Sequence, residues 1–290
     1  MRRWFWLALL ALVALVGPAR AQERLNVVAS FSILADLVRN VGGDSVNLAM
    51  LVGPEGDAHV YRPTPADARK VAEAKLLFIN GFGLEGWLPR LVQSAGGKAT
   101  IVTATDGITP LKLGAAPDPH AWQSVANVKI YIANIRDALA AASPANAAAF
   151  RANAESYLAE LDALDSDVRQ AVAAIPEAHR KVISTHRAFG YFAAAYGVEF
   201  IAPVGVSTES EPSARDIAAI ITQIKKAQIP AIFLENISDP RLIQRVAEET
   251  GASIGGTLYS DSLTAEKGEA PTYIAMVRHN IKALTSALGH

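Results

Sequence analysis

The 290-residue chain has no cysteine. Disulfides are thereby excluded, and stability has to come from a hydrophobic core or a bound ligand. A cysteine that could carry a lipid is missing as well. Charge of one sign is equally scarce, because 27 Lys and Arg stand against 28 Asp and Glu. That balance argues against nucleic acid or an anionic membrane surface as the partner. Long apolar runs are confined to one stretch, Trp4 to Val16, preceded by Arg2-Arg3 and followed by Ala19-Arg20-Ala21. The stretch is too short to span a bilayer comfortably and has the three regions of a secretory leader. Residues 1–21 are therefore set apart as a signal peptide. The expectation is a soluble periplasmic protein, free to diffuse and without a lipid anchor.

From Leu25 onward short apolar runs alternate with helical stretches. "LNVVAS", "NLAMLVG", "KLLFING" and "TIVTAT" read as strands, with "SILADLVRNVGG" and "PADARKVAEA" among the helices between them. The second half repeats the style with "KVISTH", "VEFIAPVG", "AIFLEN" and "ASIGGTLYSD". Strand and helix in turn predict α/β architecture with parallel sheets. Between the halves, Ser143 offers an N-cap, Pro144 suits the first helical position, and neither Gly nor Pro recurs before Pro176. One helix of about 30 residues and about 45 Å is expected there at 1.5 Å per residue. The reading is two Rossmann-like lobes, residues 22–142 and 176–290, joined by a rigid helix over 143–175. Such a connection restricts the lobes, so a ligand is expected to act on loops 54–62, 117–123 and 259–266 rather than on lobe separation.

Four polar residues fall at the ends of these elements, where open α/β sheets bind ligands. His59 follows the strand "NLAMLVG", ahead of a capping box formed by Thr64 and Asp67. His120 sits in "PDPHAWQS", where prolines flank Asp118 and stiffen the turn. His186 ends "KVIST", and Asp261 ends "GGTLYS". Each has a plainer role open to it: a strand-end His can hydrogen-bond a loop carbonyl, and Asp261 can cap a following helix. Together, three imidazoles and a carboxylate fit tetrahedral metal coordination. His179, His279 and His290 stay outside this set.

At these residues the chain resembles the metal-specific solute-binding proteins of ABC transporters, the zinc and manganese cluster. "HVYRPTPAD", "NGFGLEGWLPRL", "DPHAW", "STHRAFGYFAAAYG", "ESEPSARDI", "FLENISDPRL" and "LYSDSL" carry the likeness across nearly all of the chain after the leader. The resemblance implies that His59, His120, His186 and Asp261 form one metal site between the lobes. It also implies a monomer that is not an enzyme and that works with an ABC permease in the inner membrane. An accessory zinc chaperone is a further partner to consider. Two departures stand out: Asp57-Ala58 precedes His59 where the family often has Asp-Pro, and "LKLGAAPDPH" lacks the long histidine-rich insertion of many zinc-binding members. Glu209 and Glu211, in "STESEPS", lie near a helix start, where Glu211 reads as a dipole partner or a support to the ligands rather than a ligand.

Three nitrogens and one oxygen suit Zn²⁺, one per chain, whereas Mn²⁺ prefers more oxygen donors. Manganese-type relatives have a carboxylate where this chain has His186, so Mn²⁺ is the alternative. A zinc hydrolase would need an open coordination position and a general base, for which Glu211 is the only candidate, and no His-Glu-x-x-His helix is present. An adhesin or a periplasmic zinc chaperone is the remaining rival reading.

Overall fold

The computed structural model describes residues 24–114, 116–209, 213–227, 229 and 231–289. The expected leader lies outside these. The first sheet is built from β1 (Leu25–Phe31), β2 (Val46–Val52), β3 (Leu76–Ile79) and β4 (Thr100–Thr103), interleaved with α1 (Ser32–Gly42), α2 (Pro65–Glu73) and α3 (Leu88–Ser94). A short antiparallel hairpin follows, β5 (Lys112–Leu113) with β6 (Ala116–Pro117), and then α4 (Val125–Ala142) and α5 (Ala147–Ala173). The second sheet uses β7 (Lys181–Ile183), β8 (Glu199–Ile201), β9 (Ala231–Glu235) and β10 (Ser253–Leu258), with α6 (Gly190–Tyr196), α7 (Ala214–Ala227), α8 (Pro240–Thr250) and α9 (Tyr273–Leu288).

Both sheets are wholly parallel, in the orders β2-β1-β3-β4 and β10-β9-β7-β8. In chain order each half therefore runs second, first, third, fourth. The strand order reverses between β1 and β3, and again between β7 and β9, leaving a crevice beyond the carboxyl ends of each pair. Central strands of such sheets are covered on both faces, which is why β1 is largely apolar and is buried from Val27 to Phe31.

The long helix forms, but it starts later than the spacing predicts. Pro144–Asn146 make a 3-10 turn, and the 27-residue α5 begins at Ala147. Ser143 does not cap it. Its hydroxyl accepts from the Asn146 amide Nδ2 at 2.9 Å, while Asn146 Oδ1 accepts from Ser45 Oγ at 3.3 Å. This local network satisfies Ser143 outside the helical frame. Within α5, Phe150, Ala154, Tyr157, Leu161, Leu164, Val168 and Val172 are buried, a stripe at steps of three and four that faces the core. The stripe packs on α1, α4 and α9, so the helix is joined to both halves along its length. No helix among the described residues is long and apolar enough to cross a membrane.

Candidate metal centre

The sequence places His59 on the loop after β2, and that loop is held at several points. Thr64 caps α2 in a full capping box with Asp67, as expected. Tyr61 donates to Asp67 Oδ2 at 2.8 Å, and the Trp87 indole donates to the Ala58 carbonyl at 2.8 Å. Asp57 Oδ1 accepts the backbone N–H of His59 at 2.8 Å. His120 is fixed by its own neighbour: Asp118 Oδ1 accepts both the backbone N–H, at 3.0 Å, and ring Nδ1, at 2.7 Å. Trp122 packs edge-on against the His120 ring, with centroids 5.2 Å apart.

His186 follows β7 and pairs with Val204 in an isolated parallel bridge. Glu235, at the end of β9, accepts the backbone N–H groups of Thr185 and His186 through Oε1 and the His186 Nδ1 through Oε2 at 2.5 Å. Asp261 follows β10. The carbonyl before it, on Ser260, accepts from Trp122 Nε1 at 2.8 Å and Gln123 Nε2 at 2.7 Å. Side chains beside His120 thereby fix the strand end that presents Asp261.

One donor atom from each of the four residues lies within 4.8 Å of all the others. His120 Nε2 is 3.2 Å from His59 Nε2 and 3.3 Å from His186 Nε2. Asp261 Oδ2 is 3.1 Å from His59 Nε2, 3.2 Å from His186 Nε2 and 3.6 Å from His120 Nε2. For comparison, metal bonds of about 2.0–2.1 Å at the tetrahedral angle set donors about 3.3–3.4 Å apart.

The electrostatics of the cluster call for positive charge. With Nδ1–H of His120 and His186 directed to Asp118 and Glu235, the neutral rings turn Nε2 lone pairs toward one another and toward a carboxylate oxygen. Burial alone lowers the pKa of both imidazoles. The charge of Asp261, together with Asp118 at His120 and Glu235 at His186, outweighs it, so His120 is raised and His186 raised well above the usual value. Burial works to raise Asp261, yet His186 and His120 hold it well below the carboxylate range. Protons meet that demand in these shifts, and a bound cation meets it in their place. Asp261 Oδ1 is buried without a hydrogen-bond partner, an atom for which a cation provides a role.

The structure thus brings together all four residues singled out in the sequence. Asp261 caps no helix, since a bend and loop follow it. His179 instead lies against the Leu288 carbonyl, and His279 against that of Thr257. Glu209 is exposed, and Glu211 and His290 lie outside the described residues. The sequence reading did not assign roles to Asp118 or Glu235. Asp118 had a local signal, two residues before His120, whereas Glu235 is 49 residues from His186 and only the β7–β9 pairing joins them.

Residues 27–287 match the family model for the periplasmic zinc-uptake complex component A. The manganese-binding lipoprotein MntA of Halalkalibacterium halodurans is 33% identical, over 94% of this chain and 91% of its own. The manganese ABC transporter substrate-binding lipoprotein PsaA of Streptococcus anginosus is 30% identical, over 98% and 96%. Among solved structures, the periplasmic zinc-binding protein TroA from Treponema pallidum superposes with a TM-score of 0.88 at 31% identity, over 92% of this chain and 100% of its own. These names overturn one expectation. An unanchored protein was inferred from the missing cysteine alone, and MntA and PsaA are lipoproteins, held to a membrane by acyl chains.

Proposed function

The chain belongs to the periplasmic zinc-uptake component A family, the substrate-binding proteins of metal ABC transporters, and from that premise we propose that its cargo is Zn²⁺. A substrate-binding component serves a membrane permease and is not an enzyme. In the proposed cycle, His59, His120, His186 and Asp261 take one zinc ion and release it to the permease. Residues 22–142 and 176–290 act as two lobes about the 143–175 connection. A monomer suffices, because a single chain carries all four donors.

The observation that carries the zinc reading is the donor spacing. Three imidazole nitrogens and one carboxylate oxygen, separated by 3.1–3.6 Å along the five measured edges, support a tetrahedral ion at zinc bond lengths. Manganese is favoured by a different atom: Asp261 Oδ1 is unpartnered, and binding through both oxygens gives five donors, closer to what Mn²⁺ prefers. Elemental analysis of protein purified without added metal, followed by competition between the two ions, separates these. Zinc at one per chain, retained against excess manganese, is the expected result. Preferential retention of manganese overturns the zinc reading, and failure to bind either ion overturns the site.

A further inference from the structure

Among the described residues, three clefts lined by His59 or His186 differ in charge. One, of about 500 Å³ beside His186, carries Arg241 and Arg245 with Asp57 and Asp239. A second, of about 1170 Å³ along α2 and α3, sets Arg62 and Arg90 against Glu209. The third, of about 480 Å³, is bounded by Phe82 and Pro117 from the first half and by Val206 and Ser207 from the second, with His59 in its wall. Among the described residues Glu209 is the one acidic residue lining it, and no Lys or Arg joins it there. A hydrated dication is drawn into a slot of net negative charge and disfavoured where arginines line the approach.

Two further observations point to the same slot. Among the four donors only His59 keeps any side-chain exposure, 4% against none for His120, His186 and Asp261. The lip bearing Glu209 is also tied to the His59 loop. The Thr208 hydroxyl donates to Asp57 Oδ2 at 2.5 Å, and the other oxygen of that carboxylate holds the His59 N–H. On the far side of Thr208, the Glu209 N–H donates to Ser207 Oγ at 3.2 Å, which shapes the lip.

Resting on the metal site proposed above, we propose that Glu209 is the entry residue for the cargo. Its carboxylate engages the hydrated dication in the cleft between Phe82 and Val206 and passes it to His59. It sets the rate of capture without belonging to the final donor set.

The test is stopped-flow capture of Zn²⁺ from a chromophoric chelator by the wild type, Glu209→Gln, Glu209→Asp and Glu248→Gln. The last removes an equal charge at an exposed position on α8. In Glu209→Gln the association rate is expected to fall about three- to tenfold and to depend less on salt, with dissociation unchanged. Asp at 209 restores most of the rate, and Glu248→Gln matches the wild type. An unchanged association rate in Glu209→Gln overturns the proposal. So does a faster dissociation rate with unchanged association, which would make Glu209 a retained donor. A wild type that binds neither Zn²⁺ nor Mn²⁺ fails for a separate reason, the loss of the site itself, and removes the proposal with it.

Discussion

Glu235 Oε2 lies 2.5 Å from His186 Nδ1 while Glu235 Oε1 takes two backbone N–H groups, so one carboxylate fixes both the tautomer and the position of a candidate ligand. In Glu235→Gln the amide oxygen can keep the backbone donors, which turns the NH₂ toward Nδ1. The imidazole then has to accept at Nδ1, its proton moves to Nε2, and the lone pair facing the cluster is lost. Removing such a partner typically costs 10–100-fold in metal affinity. Competition titration against a chelator of known strength is expected to show a loss of about that size, and an unchanged Kd would show that His186 is oriented by something else.

Asp118 supports His120 in the same way, and Gly190 makes room for it. A Cβ built on Gly190 would lie 2.6 Å from Asp118 Oδ2, closer than such atoms approach. Gly190→Ala therefore pushes the carboxylate off its line to Nδ1, although residue 190 touches no proposed donor. The expected outcome is a Kd raised about tenfold. In the His120 imidazole NMR spectrum, the Nδ1–H resonance should shift or broaden. A variant with wild-type affinity and spectrum would show that the turn absorbs the methyl group.

How much of this was legible in the sequence depended on distance along the chain. Strands such as "LNVVAS" and "AIFLEN" were readable because parallel strands buried on both faces are continuous apolar runs. The Thr64–Asp67 box was readable because a cap is local chemistry, and it formed. The four candidate donors could be listed because each ends an element. Ser143 failed as a cap because Asn146 and Ser45 engage its turn, and Ser45 lies 101 residues from Asn146. Glu235 and Thr208 were invisible as partners for the same reason: their hydrogen bonds follow from strand order and lobe closure, which periodicity does not encode.

Asp67 links the His59 loop to pH. Burial tends to raise its pKa, but the Thr64 N–H and hydroxyl, Lys70 and Tyr61 prevail and hold it at about 2, against 3.8 for a free Asp. The folded-state value is depressed, so the stabilisation is complete above about pH 4 and is lost as pH falls through 2. With the side chain only 3% exposed, the difference amounts to about 2 kcal/mol. Urea titrations are expected to show Asp67→Asn less stable than wild type by about that amount at pH 7, with the gap closing toward pH 2. A gap independent of pH would mean that the loss comes from packing and not from the charge.

The two sides of the cluster are tied with unequal strength. Toward Asp261 the halves are joined by buried hydrogen bonds: Trp122 and Gln123 to Ser260, the Leu263 N–H to Ser32 Oγ, and the Tyr273 N–H to Asp36. Toward His59 they meet through the part-buried bond between Thr208 and Asp57, and the Glu55 N–H donates to the Leu263 carbonyl at 2.9 Å. The stiffness of α5 argues against a large change in lobe separation, in line with the expectation from its length. The expectation that three loops respond alike needs revision, because the 117–123 and 259–266 segments are already held by these bonds. Adding zinc should slow hydrogen exchange mainly in residues 54–62 and 204–209, with little change in the radius of gyration by solution scattering. Thr208→Val removes the side-chain tie on that side and leaves the Glu55 backbone bond in place. A hydrogen bond to a charged acceptor is worth about 1.5–3 kcal/mol, so zinc should leave this variant about tenfold faster or more. Equal gains in protection across all three loops would refute the unequal ties, a large fall in radius would refute the rigid connection, and an unchanged off-rate would show that the Thr208–Asp57 bond does not hold the site closed.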